Sequence, residues 1–326
     1  MQGKESSEQE TNGKSYVGID VCQDWLDIHI LPARVTWRVH NTNQGHRLLK
    51  RRLEQHAVDL IAIEATGKWH RQLHRNLHAG GYRVAVVNPL RARLFAEAIG
   101  ILAKTDRLDA RMLAMFAMSL TPTARPPTPE SLDALKELVQ ARASAVDEQT
   151  ALKNQRTSAA ISFLQRQLGN RLKRINKDIE ALDVEIVRLI NAEEGLARRY
   201  VILLSIPSFG PVTAATLLVC LAELGSCDHK QIALLAGVAP IADQSGKREG
   251  RRTVHGGRPT VRRALYLAAL NAARWNRNMK PLYVRLIAAG KLKKVALIAV
   301  ARKLVVLANT LIREDRLWQI SAPSNA

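Results

Sequence analysis

The sequence predicts an α/β domain, a mixed sheet with flanking helices, followed by a helical coiled coil and a mainly helical C-terminal domain. Three observations predict this. Strand-like runs crowd residues 16–40 and then alternate with helical runs to about residue 120. The segment TPTARPPTPE, residues 121–130, carries four prolines in ten residues and reads as a linker or rigid strap. Beyond it the strand signal disappears, and apolar residues recur at three- and four-residue spacing.

The elements come in this order. Residues 1–15 are polar, lack an apolar signal-peptide core and read as a disordered tail. YVGIDV, WLDIHIL and TWRVH succeed one another too closely for crossover helices, so an antiparallel meander is expected. GHRLLKRRLEQH then reads as a helix, VDLIAIEA as a buried strand, KWHRQLHRNLHAGG as a helix closed by glycine, YRVAVVNP as a second buried strand, and LRARLFAEAIG as a helix. AKTDRLDARML opens the last helix of this α/β domain, residues 16–120, with Thr105 as a candidate N-cap. In residues 131–198, Leu132, Leu135, Val139, Arg142 and Val146 keep helical spacing, as do Leu172, Ile175, Ile179, Leu182, Ile186 and Leu189. Two long helices in an antiparallel coiled coil fit this, and so do two ordinary amphipathic helices. Residues 199–320 form the helical C-terminal domain, and 321–326 a tail. Residues 201–222 are uncharged and long enough to span a bilayer, but Pro207, Gly210 and Pro211 break them into two buried helices around a turn.

The chain has 326 residues, enough for about two domains, and its 47% hydrophobic content allows a sizeable core. Lys and Arg number 49 against 29 acids, a formal charge of +20. Such a balance points to a polyanionic partner, most often nucleic acid, ahead of a membrane surface. Aromatic content of 4% argues against single-strand binding dominated by base stacking. Three cysteines without a CxxC pair argue against a disulfide framework and suit a reducing cytoplasm.

Four acids stand out against this basic background. Asp20 ends the first strand and Glu64 the fourth; Asp106 and Asp109, three apart, share a face of the helix after them. If the first and fourth strands are neighbours, all four carboxylates converge. Uncompensated they would repel one another, and Mg²⁺ or Mn²⁺ would relieve this. Two such ions about 3.5–4 Å apart can clamp a phosphodiester. Taken singly the acids read otherwise. Asp106 and Asp109 suit a helix first turn, and Asp20 could open an actin-like phosphate-binding strand, although DVCQDW lacks the glycine that motif needs. ATGKW lacks the upstream glycine and the hydroxyl residue of a P-loop.

GID at 18–20, IEATG at 63–67, NP at 88–89 and KTDRLDARMLA at 104–114 together resemble the N-terminal domain of the DEDD transposases of bacterial insertion sequences. LLSIPSFGPVTAATLL, LAGVAP and QSGKREGRRTVHGGRPTVRRALYLAAL resemble the C-terminal transposase domain of the same family. The resemblance covers nearly all of the chain after residue 15. It implies a ribonuclease-H-like fold, like that of Holliday-junction resolvases, for the N-terminal domain. It implies Asp20, Glu64, Asp106 and Asp109 as metal ligands and Ser245 as the nucleophile that joins covalently to DNA. It further implies guidance by a bridge RNA and assembly as a dimer and synaptic tetramer. One departure is visible. The family commonly reads Pro-Gly-Ile-Gly where this chain has Pro207, Ser208, Phe209 and Gly210, in a turn resembling a helix-hairpin-helix.

Without the family, Ser245 is a serine in a turn. Its surroundings are basic: Lys247, Arg248, Arg251, Arg252, Arg258, Arg262 and Arg263 against Glu249 alone, with glycines between them. Such a loop can wrap phosphates, as a catalytic element or as a backbone-binding one. His255 is the nearest candidate base. His70, His74 and His78 recur at i, i+4 and i+8, but the apolar stripe Trp69, Leu73 and Leu77 lies one step away, so a solvated or sheet-edge face is expected. The reading is a DNA recombinase of transposition, in the bacterial cytoplasm at the nucleoid. Its expected partners are donor and target DNA, a structured noncoding guide RNA and copies of itself, with no membrane partner. A metal-dependent structure-specific nuclease and a non-catalytic nucleic-acid scaffold are the alternatives.

Overall fold

The structure, a computed structural model, describes residues 13–101, 106–242, 244–245, 248–250 and 252–319; at residues 106, 107, 244, 245, 248 and 249 it describes the backbone only. Thr105 and the two tails beyond residues 13 and 319 lie outside the described residues. The chain divides into two compact units after Pro129.

The first unit opens with β1 (Ser15–Val21), β2 (Trp25–Leu31) and β3 (Val35–His40), the expected meander. Then come α1 (Asn43–Leu53), β4 (Val58–Glu64), α2 (His70–Ala79), β5 (Val84–Val87), α3 (Pro89–Ala98) and α4 (Asp106–Leu120). The sheet order is β3-β2-β1-β4-β5, with β4 and β5 parallel to β1. Alternation along the strands gives the sheet two unlike faces. Val17, Ile19, Leu26, Ile28, Ile30, Ile61 and Ile63 pack with Leu49, Leu53, Leu73 and Leu77 of α1 and α2, an apolar layer closed to water. On the other face Leu60, Ala62, Ala85 and Val87 pack with Met112, Leu113, Phe116 and Ala117 of α4.

Contact between α4 and that face is unusually close. A Cβ on Gly18 would lie 2.0 Å from the Ala110 carbonyl oxygen and 2.3 Å from the Ala114 nitrogen. Only a glycine on β1 and alanines at 110, 114 and 117, all buried, let helix and strand backbones touch. The proline-rich segment folds back on the same unit: the Arg125 amide donates to the Val84 carbonyl, and Ala124 packs on the α4 layer.

The second unit begins with α5 (Glu130–Ser158) and α6 (Ser162–Asn191), two long helices joined by three residues. Leu152 packs with Leu168, Leu172, Ile175 and Ile179. The cross-pairs Arg142–Asp183 and Gln149–Asn176 advance along one helix as they retreat along the other, so the pair is antiparallel. Arg142, part of the predicted apolar stripe, sits in the seam bound to Asp183. The base of this hairpin merges with the C-terminal helices. Leu135, Val139, Ile186 and Ile190 share one core with α7 (Glu194–Leu204), α8 (Pro211–Cys220), α9 (His229–Leu235) and, after the short hairpin β6 (Gln244–Ser245) and β7 (Arg248–Glu249), with α10 (Pro259–Trp275) and α12 (Lys293–Arg313); α11 (Lys280–Ala288) packs on α12. The uncharged stretch at 201–222 is thus the end of α7, a turn and α8. α12 is long and apolar enough to cross a membrane, but Val300, Ala301, Leu304, Val305 and Ala308 are buried in this core.

Candidate functional site

The predicted acids take their places through strand register. β1 and β4 pair in parallel with Gly18 opposite Ala62 and Ile19 opposite Ile63. The next residues along, Asp20 and Glu64, therefore stand side by side at the carboxyl ends. Gly18 and Ala62 face α4, so Asp20 and Glu64, two residues on, face it too. The first turns of α4 lie at this end of the sheet. Leu108 and Arg111 border one cleft with Arg38 of β3, and Arg38 is level with Asp27 and hence with Asp20. Asp109 belongs to that stretch of α4. Asp20, Glu64 and Asp109 are half-buried. The Asp106 side chain lies outside the described residues, although its backbone starts the helix.

A carboxylate that sequence reading missed joins this row. Asp27 is the Cα partner of Asp20 and is 2% exposed. Two like charges directly opposite destabilise a sheet. Here the next strand compensates: Arg38, the Cα partner of Asp27, donates from Nε at 3.0 Å to Oδ1 and from Nη2 at 2.6 Å to Oδ2. The row Glu64, Asp20, Asp27, Arg38 thus crosses four strands, and its buried acid, Asp27, is neutralised internally. The signal was present as alternation, with Asp27 and His29 as the polar positions of WLDIHIL, but the partner that makes Asp27 structural comes from register. His29, level with Gly18, is 6% exposed; its Nδ1 lies 2.6 Å from Thr36 Oγ1. Burial, then the charge of Arg111, holds its pKa below the ordinary imidazole value.

The histidine stripe differs from expectation at its centre. His74 is buried, not solvated, and its Nε2 lies 3.0 Å from the Arg125 carbonyl oxygen. The proline-rich segment folding onto α2 is what covers it, and burial lowers its pKa. His78 is exposed. Among the described residues no three His, Cys, Asp or Glu side chains are grouped to hold a metal, at this stripe or elsewhere.

Ser245 lies in the second unit at the end of β6, its backbone paired with Arg248 of β7; the bridge Ile241–Thr253 continues the hairpin. The Ser245 and Arg248 side chains, and the whole of Lys247 and Arg251, are outside the described residues. Arg252 is exposed. The remaining cations of the predicted loop have structural partners. Arg258 donates to both Glu223 oxygens at 2.6 and 2.8 Å, and this pairing raises its pKa. Arg262 donates to the Gly256 carbonyl at 2.8 Å, and Arg263 to Asp147 at 2.8 Å. Gly257, at φ 63°, packs on Gly237, where a Cβ would approach to 2.4 Å. His255 lies 3.2 Å from Thr253 Oγ1. In the turn between α7 and α8, Ser208 holds φ 89°, a conformation suited to glycine. Phe209 beside it is buried in the core.

The first unit is thus a mixed α/β sheet with acids at the ends of β1 and β4 and two more on the helix packed against them. Similarity to known proteins identifies its family. A family model described as a transposase, of the DEDD type from IS110, matches residues 17–162, and one described as the transposase IS116/IS110/IS902 family matches residues 200–284. The chain belongs to the IS110-type DEDD transposases and is a recombinase of that family. A pilin gene-inverting protein of Moraxella bovis is 29% identical over 315 residues, covering 93% of this chain and 97% of its own. That of Moraxella lacunata is 28% identical over the same extent. An insertion element IS110 protein of Streptomyces coelicolor is 26% identical over 182 residues, 55% of this chain and 44% of its own.

Membership implies DNA binding and a metal-dependent site. Among the described residues the donors that stand side by side are two, Asp20 and Glu64, and their chemistry is the kind such a site takes. Both offer oxygen ligands on the face against which α4 packs, and hard divalent cations take oxygen donors.

Proposed function

We propose that this transposase cuts and rejoins DNA strands through Asp20, Glu64, Asp106 and Asp109 acting with Ser245, directed to its sites by a bound noncoding RNA. One observation carries the acid half of the reading: β1–β4 register sets Asp20 beside Glu64 on the face against which α4 packs. The four carboxylates would hold Mg²⁺, or Mn²⁺, which when bound stabilises charge on the oxygens of a phosphodiester. Arg38 keeps Asp27 occupied, so Asp20 is directed to the cation and not into repulsion with its cross-strand neighbour. Ser245 Oγ forms a bond to phosphorus as one strand's P–O bond breaks; the leaving oxygen takes up a proton and the serine gives one up. The phosphoserine ester conserves the bond energy for rejoining. Arg252, exposed beside the hairpin, would supply positive charge to the transferred phosphate.

The full-length likeness to pilin gene-inverting proteins supports site-specific rearrangement, inversion included. The charge of +20, spread well beyond the hairpin, suits a polyanionic partner besides the DNA, and a guide RNA would supply specificity by base pairing. Work on two DNA sites calls for an assembly of copies, a dimer or tetramer, in the cytoplasm at the nucleoid.

A supercoiled two-site plasmid with Mg²⁺ tests this. The parent yields recombinants, Asp20→Asn and Asp109→Asn yield none while retaining DNA affinity, and Ser245→Ala binds but gives no covalent adduct on denaturing gels. Nicks without recombinants would indicate a structure-specific nuclease, and no product at all a scaffold. Recombination by Ser245→Ala would end the serine assignment. Sequencing the RNA that survives a high-salt wash, then assaying with and without it, tests guidance. Full site-specific activity from RNA-free protein would refute that part.

A further inference from the structure

Beside the carboxylates the first unit holds a cavity of about 370 Å³, lined by His29, Thr36, Trp37, Arg38, Leu108 and Arg111. None of the six is acidic. Strand alternation explains the chemistry of its wall. Leu26, Ile28 and Ile30 face α1 and α2, so Asp27 and His29 face α4, and their Cα partners Arg38 and Thr36 do likewise. Trp37 alternates to the opposite face, where Arg52 stands over its ring at 5.6 Å. His29 is buried, and among the described residues its Nε2 has no hydrogen-bond partner. With the Thr36 hydroxyl on Nδ1, Nε2 is the nitrogen left for a ligand. Asp27 grips the Arg38 guanidinium by Nε and Nη2, which fixes its plane at the cavity. Arg111 is exposed on α4, two residues past Asp109.

Two guanidiniums and an imidazole nitrogen around one cavity suit an anion with several oxygens: in neutral His29 the Thr36 hydroxyl donates to Nδ1, which leaves the Nε2 proton for the anion. The location narrows the anion. Arg38 stands two strands from Asp20, about 10 Å at ordinary strand spacing, and Arg111 comes after Asp109 on the same helix. We propose that this cleft binds a backbone phosphate of the DNA strand, next along from the phosphodiester handled at Asp20, Glu64 and Asp109. It rests on the reading of those acids given above, and it makes His29, Arg38 and Arg111 binding residues that hold the strand in register with the acids, with Thr36 fixing the His29 ring.

The test measures binding without added metal. The probe is a duplex carrying the junction between the insertion element's end and its flanking DNA, with a single neutral methylphosphonate walked along each strand. The full-length chain, purified with its bound RNA, should lose affinity, by about three- to tenfold, at a phosphate within one or two steps of the cut bond. Arg111→Gln, a change at an exposed position, should show that weaker affinity on unmodified DNA and no further loss at that phosphate. Its salt slope should fall by about one. His29→Gln should repeat the pattern. Equal sensitivity of parent and Arg111→Gln at every phosphate would overturn the proposal. Asp20→Asn should keep the parent's methylphosphonate pattern while losing recombination, so a failure of the acid reading shows in activity and a failure of this one in binding.

Discussion

Replacing Gly18 by alanine adds one methyl group where the structure has no room for it. The new Cβ would lie 2.0 Å from the Ala110 oxygen, 2.3 Å from the Ala114 nitrogen and 2.8 Å from the Leu113 carbonyl carbon. All three are backbone atoms of α4, so no side chain can swing aside. Relief requires α4 to retreat by about 1 Å from β1, since packed cores leave no slack elsewhere. Overpacking costs about 1–3 kcal/mol, and the upper end applies where both surfaces are backbone. In a unit of this size that lowers Tm by roughly 10 °C. The same retreat carries Asp109 away from Asp20 and Glu64. A misplacement of about 1 Å at reacting groups costs on the order of 10²-fold in rate. Gly45→Ala is the control. There a Cβ would lie 1.9 Å from the His40 oxygen, but Gly45 belongs to α1 on the opposite face of the sheet. Both variants should melt early by differential scanning fluorimetry. Only Gly18→Ala should lose recombination per folded molecule on the two-site plasmid. Equal specific activity in the two variants would refute the argument that α4 seating positions the acids.

Arg38→Gln leaves Asp27 buried without its cation and should destabilise by about 2 kcal/mol, less than for an enclosed pair because Arg38 is partly exposed; in urea melts the double variant with Asp27→Asn should recover most of that loss. His46, 2% exposed between Asn41 and Asn76, has its pKa lowered by burial, and secondarily by Lys50, from 6.5 to about 4. The unfolded chain therefore binds the extra proton first: the contribution is complete above pH 6.5 and is lost as pH falls toward 4, up to about 3 kcal/mol. Thermal melts across that range should steepen in the parent and flatten in His46→Gln. Ser208→Gly removes a non-glycine residue from φ 89° and should stabilise the second unit by about 1 kcal/mol, raising Tm by roughly 2–4 °C. An unchanged Tm would mean that the turn accommodates serine without strain.

What was legible in the sequence was local. Strand ends and helix starts are set by period and punctuation within a few residues, so Asp20, Glu64, Asp106 and Asp109 could be placed on their elements from GID, IEATG and KTDRLDARML. The glycine of GID and the alanines at 110, 114 and 117 were equally visible, but their meaning as a backbone contact needs both partners together. The same holds for the residues that changed role. His74 reads as a surface position until the proline-rich segment folds onto α2. Arg258 reads as a phosphate cation until Glu223, 35 residues away, takes both its nitrogens.

Composition, charge and periodicity by themselves determined that this chain is an α/β sheet domain followed by long helices, that its partner is a polyanion, and that a few acids stand apart from its basic surface. Tertiary structure alone decided which side of the sheet those acids share, that Asp27 is tied to Arg38, and that a cleft of arginines and an unpartnered imidazole lies beside them. The reason is physical. Period two assigns a side chain to one of two faces, but only pairing between distant strands says what stands next to it on that face, and a slip of one residue would exchange every neighbour.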